Sequence, residues 1–159
     1  IAVTPLQLLS AVSAFANDGK IIKPYLVKKI ESADGKFVKT FARQERGKAV
    51  SERTASDMKE LLRNVVLKGS GRRARMKWFT TGGKTGTAQK VAPGGRGYWK
   101  GHYIASFIGL ALLSDPEVIV LVIVDDPKGS IWGESACGPV FKNVVEYALR
   151  YLNAKPDML

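Results

Sequence analysis

The densest chemistry in the chain lies at Gly82-Gly83-Lys84-Thr85-Gly86-Thr87-Ala88-Gln89. An ammonium and two hydroxyls fall within four residues, among glycines that let another backbone approach closely. A cation with convergent O–H donors suits an anionic oxygen group, a carboxylate or a phosphate.

The phosphate reading is tested by spacing. A phosphate-cradling loop needs glycine five residues before its Gly-Lys-Thr and a helix opening at the lysine. Trp78 occupies the required position, and Thr85 to Gln89 carries the composition of a strand, so that reading fails on both counts. Elsewhere the chemistry is sparse. Cys137 is the only cysteine, which excludes an internal disulfide, and it is expected to pack as a small apolar group. His102 is the only histidine, so no multi-histidine metal site exists and a Ser-His-Asp triad would have to use it. Ser56-Asp57-Met58-Lys59 places a serine and a lysine on one helical face. Asp125-Asp126-Pro127 suits a turn that ends a strand. Gly94, Gly95 and Gly97 mark a mobile loop whose neighbours Tyr98 and Trp99 are candidate substrate contacts, and Trp132 to Ser135 carries no reading.

Twenty-five basic and fourteen acidic residues give a net charge of +11, favouring anionic partners. Lys68, Arg72, Arg73, Arg75 and Lys77 concentrate that charge in one segment. No recognition helix or aromatic pattern accompanies it, which argues against a nucleic-acid surface. The apolar run Val118 to Val124 is far shorter than the ~20 residues of a membrane-spanning helix. The chain opens at Ile1 directly into structured sequence, and is expected to be a piece of something longer.

The elements that must position the lysine-threonine cluster follow from local signals. Thr4 as N-cap, Pro5 at N1 and Gln7 at N3 start a helix carrying Leu8, Leu9, Val12, Phe15 and Ala16 at helical spacing; Asn17-Asp18-Gly19 stops it. Tyr25 to Ile30 and Lys36 to Phe41 form a hairpin about Asp34-Gly35. A helix capped by Thr54 and Asp57 runs to about Leu67, burying Met58, Leu61, Leu62, Val65 and Val66; Gly69 and Gly71 end it. Three strands follow, Trp78 to Val91, Tyr103 to Leu112 and Val118 to Asp125, the last two joined as an antiparallel hairpin through Ser114-Asp115-Pro116. The third is apolar on both faces and is expected in the middle of a covered sheet. A last helix from near Pro139 lays Phe141, Val144, Val145, Ala148, Leu149 and Leu152 on the sheet. Helices before and after a small antiparallel sheet predict an α+β class, layered α-β-α, over one domain, residues 1–159.

Lys84-Thr85-Gly86 matches the Lys-Thr-Gly motif that penicillin-recognising serine enzymes carry on an edge strand. With Val3-Thr4-Pro5-Leu6-Gln7-Leu8, Asn17-Asp18-Gly19-Lys20, Lys23-Pro24-Tyr25, the basic glycine-rich loop and Gly138-Pro139-Val140-Phe141, the whole chain resembles the C-terminal part of a class B penicillin-binding transpeptidase domain of the division and sporulation type. The resemblance implies the penicillin-binding, β-lactamase-like fold, here incomplete. It implies that Lys84 organises the anionic pocket and the proton network. The Thr85 and Thr87 hydroxyls would hold the substrate carboxylate, Gly86 would let substrate lie on the strand, and the Thr87 backbone N–H would be an oxyanion donor. The nucleophile is expected outside the chain: no Ser-x-Asn occurs, and Ser56 lies on a helix that matches a different helix of the family. The isolated chain should then be inactive. No cofactor and no metal is implied. Expected partners are peptidoglycan stem peptides, β-lactams and division or elongation proteins, outside a cytoplasmic membrane to which an N-terminal segment anchors the parent. The alternative is a noncatalytic basic module that binds a polyanion. The fragment is also expected to self-associate through Val118 to Asp125, whose edge would be unpaired.

Overall fold

The structure is a computed structural model and describes residues 2–158. Two compact units divide it, Ile1–Ala55 and Ser56–Leu159. In the first, helix α1 (Pro5–Ala16) begins at the expected capping box. The Thr4 N–H donates to Gln7 Oε1 at 2.8 Å, and the Gln7 N–H donates to Thr4 Oγ1 at 3.2 Å. Asp18 and Gly19 turn the chain with positive φ, and a Cβ on Gly19 would lie 2.0 Å from the Val50 carbonyl oxygen. Strands β1 (Lys20–Ile22) and β4 (Glu45–Lys48) pair antiparallel, as do β2 (Lys29–Glu31) and β3 (Val38–Thr40) about the expected Asp34-Gly35 turn. The β2–β3 strands are shorter than the periodicity suggests. Every residue in them is exposed, so no buried face extends the pairing.

Helix α2 (Glu52–Lys68) starts one turn earlier than the sequence predicts, because Ser51 supplies the cap: its Oγ accepts the Thr54 N–H at 3.0 Å. In the second unit, Leu62 and Val66 of α2 are buried one turn apart, while Leu61 points outward at 59% exposure, correcting its assignment to the core. The helix ends at Gly69 and Gly71, whose N–H groups both donate to the Val65 carbonyl at 3.0 Å, and a 3-10 turn, Arg72–Ala74, follows.

The sheet of this unit has the order β5 (Thr81–Val91), β6 (Tyr98–Ala111), β7 (Val118–Asp125), antiparallel throughout. Residues opposite each other share a face, so Gly82 and its partner Leu110 face one way and Gly83 and Gly109 the other. A Cβ on Gly82 would meet Leu62 and Arg63 of α2 at 2.9–3.1 Å; one on Gly109 would meet the Phe141 ring at 2.7 Å. Missing side chains on opposite faces therefore let α2 and α4 (Gly138–Tyr151) press against the sheet from either side. The α+β, layered α-β-α prediction holds for this unit.

Phe107, Phe141, Val145, Leu149, Val66, Ala105, Ala111 and Cys137 form the core, with the two phenyl rings edge to face at 4.8 Å. Burial pushes the Cys137 thiol up, in keeping with its role as packing. The chain then returns to the head of β5, where the Asp157 carboxylate accepts the Thr80 N–H at 2.6 Å.

Among the described residues β7 bonds to β6 alone, so its far edge is unpaired, as expected, while its apolar run is not covered on both faces: Ile123 is 43% exposed. The apolar stripe assigned to the last helix needs correcting. On α4, Phe141, Val145 and Leu149 cover the sheet, but Val144 and Leu152 are exposed together with Val140, Tyr147 and Tyr151. The apolar arc of this helix is wider than the stripe a sheet can cover.

Phe141→Ala should therefore destabilise by ~3–5 kcal/mol in urea unfolding, and Val144→Ala by under ~1 kcal/mol. Equal losses would show that α4 seats differently.

Candidate anion site on the edge strand

Among the described residues β5 also bonds to β6 alone, so one side of Lys84-Thr85-Gly86-Thr87 is unpaired, the kind of edge on which an extended peptide can add. Opposite these residues on β6 lie Ile108, Phe107, Ser106 and Ala105. Lys84 is exposed and curls over its own strand, its Nζ 2.9 Å from the Thr85 carbonyl oxygen and 3.4 Å from Thr85 Oγ1. Among the described residues it has no carboxylate partner. Thr85 Oγ1 also lies 2.9 Å from Ser70 Oγ, on the basic loop after α2. Thr87 Oγ1 donates to the Ile131 carbonyl at 3.4 Å, a long bond that a better acceptor would displace.

A Cβ on Gly86 would lie 2.4 Å from Ser106 Oγ, so a side chain there would require the Ser106 hydroxyl to rotate away. The segment that carried no reading, Trp132 to Ser135, turns out to belong to the site. Gly133 opens a one-turn helix, α3 (Gly133–Ala136), whose first residue rests on the strands. A Cβ on Gly133 would meet the Ser106 carbonyl oxygen at 2.2 Å and that of Gly86 at 2.9 Å. Ile131 and the exposed Trp132 thus stand beside Thr87. Nothing periodic marks this segment in the sequence, and Ser70 is equally invisible there, because both contacts arise only on folding.

The remaining candidates do not join this site. Ser56 and Lys59 line an open cleft with Glu60, Arg63 and Asp157, and that lining includes none of Lys84 to Thr87. His102 stacks on Trp99 with ring centroids 3.6 Å apart, and its Nδ1 lies 3.0 Å from Asp126 Oδ1. No serine hydroxyl bonds to His102 among the described residues, so no triad assembles. Asp125-Asp126-Pro127 is the strand-ending turn expected: Asp126 has φ 51° and its N–H donates to the Tyr103 carbonyl at 2.8 Å. Gly94, Gly95 and Gly97 take positive φ in the β5–β6 turn. Tyr98 pairs with Val91, roughly 13 Å along the strand from Thr87 at 3.3 Å per residue.

The arrangement thus offers an ammonium, two threonine hydroxyls and a strand edge unpaired among the described residues, a donor set that suits an anionic oxygen group. Residues 1–146 match the family described as penicillin binding protein transpeptidase domain. The chain belongs to the penicillin-binding protein transpeptidase family. Among its relatives, stage V sporulation protein D of Bacillus subtilis is 39% identical over 98% of this chain, and peptidoglycan D,D-transpeptidase FtsI of Escherichia coli 31% identical over all of it. The chain spans 24% and 25% of those proteins' lengths. Penicillin-binding protein 3 of Mycobacterium tuberculosis, solved with aztreonam, superposes with a TM-score of 0.85 at 28% identity, over 97% of this chain and 36% of that one. These relatives bear out the expected resemblance to a class B penicillin-binding transpeptidase domain.

The Asp126 carboxyl is held below the ordinary 3.8, first by its hydrogen bond from Lys128 and then by His102. A depressed carboxylate contributes stability above its unfolded pKa and loses it as pH falls through the folded value. Asp126→Asn, which tolerates the positive φ, should lower Tm at pH 7, and the difference should fade as pH drops below 3.8. A difference independent of pH would assign the effect to packing instead.

Proposed function

We propose that this chain forms part of a serine D,D-transpeptidase that cross-links peptidoglycan stem peptides through an acyl-enzyme and is a target of β-lactams. The observation that carries the reading is Lys84-Thr85-Gly86-Thr87 on an open strand edge, with its ammonium unpaired, in a member of this family. The names of the relatives support it, as do the aztreonam and ampicillin complexes of the Mycobacterium tuberculosis neighbour. Both compact units would then belong to one transpeptidase domain.

In this reading the Thr85 and Thr87 hydroxyls donate to the terminal carboxylate of a D-Ala-D-Ala stem or to the carboxylate of a β-lactam. Lys84 neutralises that charge and joins the proton network. Gly86 lets the peptide lie against β5. The Thr87 backbone N–H stabilises the oxyanion that forms when a serine oxygen adds to the penultimate D-Ala carbonyl. Collapse of that adduct breaks the peptide bond and releases D-Ala, which takes up a proton on its amine. An amine of a second stem then attacks the ester, forms the cross-link and returns the proton to the serine. The serine is not in this chain; Ser56, in its separate cleft, does not serve. The work takes place outside the cytoplasmic membrane. No helix among the described residues is long and apolar enough to cross a membrane; the family resemblance is what implies an N-terminal anchor in a longer parent.

A second reading rests on Lys68, Arg72, Arg73, Arg75 and Lys77, which make no ion pair among the described residues: a noncatalytic polyanion-binding module. Binding of that kind should weaken steeply with added salt. The β7 edge, with Ile123 exposed, would also pair with its counterpart in a second copy and continue the sheet.

Intact mass after incubation with excess benzylpenicillin should show no adduct on this chain. In the longer protein it should show one per molecule, formed about 10- to 100-fold more slowly with Thr85→Val. A stoichiometric adduct on the isolated chain would overturn the placement of the nucleophile. Light scattering should show a dimer that Ile123→Lys dissociates; a monomer at high concentration would exclude pairing through β7.

A further inference from the structure

Thr85 can serve a ligand carboxylate only if its single hydroxyl hydrogen points at that ligand. A hydroxyl has one hydrogen and two lone pairs, so its direction is decided by what occupies the lone pairs. Two neighbours are within reach inside the protein: Lys84 Nζ at 3.4 Å and Ser70 Oγ at 2.9 Å. The ammonium can only donate. Ser70 can do either, and the two assignments have opposite consequences. If Ser70 accepts, the Thr85 hydrogen is spent inside the protein. If Ser70 donates, both lone pairs are filled and the hydrogen must point outward. A carboxylate accepts and never donates, so its arrival selects the second arrangement.

We propose that Ser70 is a positioning residue that donates to Thr85 Oγ1 and thereby commits the Thr85 hydroxyl to the substrate carboxylate. This rests on the carboxylate reading of β5 given above and adds to it a residue from outside that strand.

The backbone around Ser70 suits the task. The N–H groups of Gly69 and Gly71 both donate to the Val65 carbonyl at 3.0 Å, so the residues on either side of Ser70 are tied to the last turn of α2. A Cβ on Gly71 would lie 3.3 Å from the Phe107 ring, which seats the loop against the residue paired with Thr85. Ser70 is thus held from both sides while its side chain stays exposed, and Thr85 is its one hydrogen-bond partner among the described residues. An exposed serine has little packing to lose, so its replacement should spare the fold.

The test uses the 159-residue chain and nitrogen-15 NMR titration with diacetyl-Lys-D-Ala-D-Ala and with the same peptide as its C-terminal amide. Wild type should bind the acid more tightly than the amide, with shifts at the Lys84 to Thr87 amides. Ser70→Ala should weaken acid binding about fivefold to tenfold, weaken amide binding less, leave Tm unchanged, and so narrow the discrimination. Ser70→Thr, which restores a hydroxyl, should recover it. Equal acid affinity in wild type and Ser70→Ala would overturn the role of Ser70 and leave the carboxylate reading standing. Wild type that fails to distinguish acid from amide, or shows no response at Lys84 to Thr87, would overturn the carboxylate reading and this inference with it.

Discussion

The ring of Phe107 is the contact on which the second unit turns. It is wholly buried in the middle of β6, opposite Thr85 on one side and Val122 on the other. Gly83 and Gly71 lack the Cβ atoms that would strike it, and Phe141 of α4 meets it edge to face. One side chain thus sets the height of the Lys84–Thr87 strand above the core, the seat of the loop carrying Ser70, and the docking of the last helix. Close packing makes these settings interdependent, since a dense interior passes a displacement on to its neighbours.

The polar half of the site is built differently. Lys84, Thr85, Thr87 and Ser70 are solvent-accessible, and they satisfy one another or nearby carbonyls through single bonds of 2.9 to 3.4 Å. Such bonds are exchanged for bonds to an anion at little net cost. The rigidity lies underneath in apolar contacts, and the adaptable groups lie on top.

Features decided within a few residues were legible in the sequence. Thr4 and Gln7 announced α1 because a capping box is complete in four positions, and Asp34-Gly35 announced its turn for the same reason. Strands β6 and β7 were legible from their apolar residues, and β5 from the composition of Thr85 to Gln89. Where a signal underdetermined its meaning, the expectation strayed. Ser51 and Thr54 are both capping residues, and only the bond from the Thr54 N–H to Ser51 decides between them. Leu61 and Val144 fit helical stripes that prove broader than the faces the sheet covers. Strands β1 and β4, three and four residues long, have no periodicity to detect. At the site, Lys84 to Thr87 stood out by composition and resemblance, whereas Ser70, Ile131 and Gly133 join it through contacts that no local pattern encodes.

The seat of α3 on β5 has a consequence for variation. Gly133 meets the carbonyls of Gly86 and Ser106 as main chain against main chain, with no room for a Cβ on Gly133. A contact made without side chains offers nothing for a substitution to adjust by degrees: it is kept whole or lost. Gradual change in what the groove accepts is therefore confined to its margins, to the Ser70 loop on one side and to Ile131 and Trp132 on the other. The floor of the groove is inherited as geometry, and its rim as chemistry.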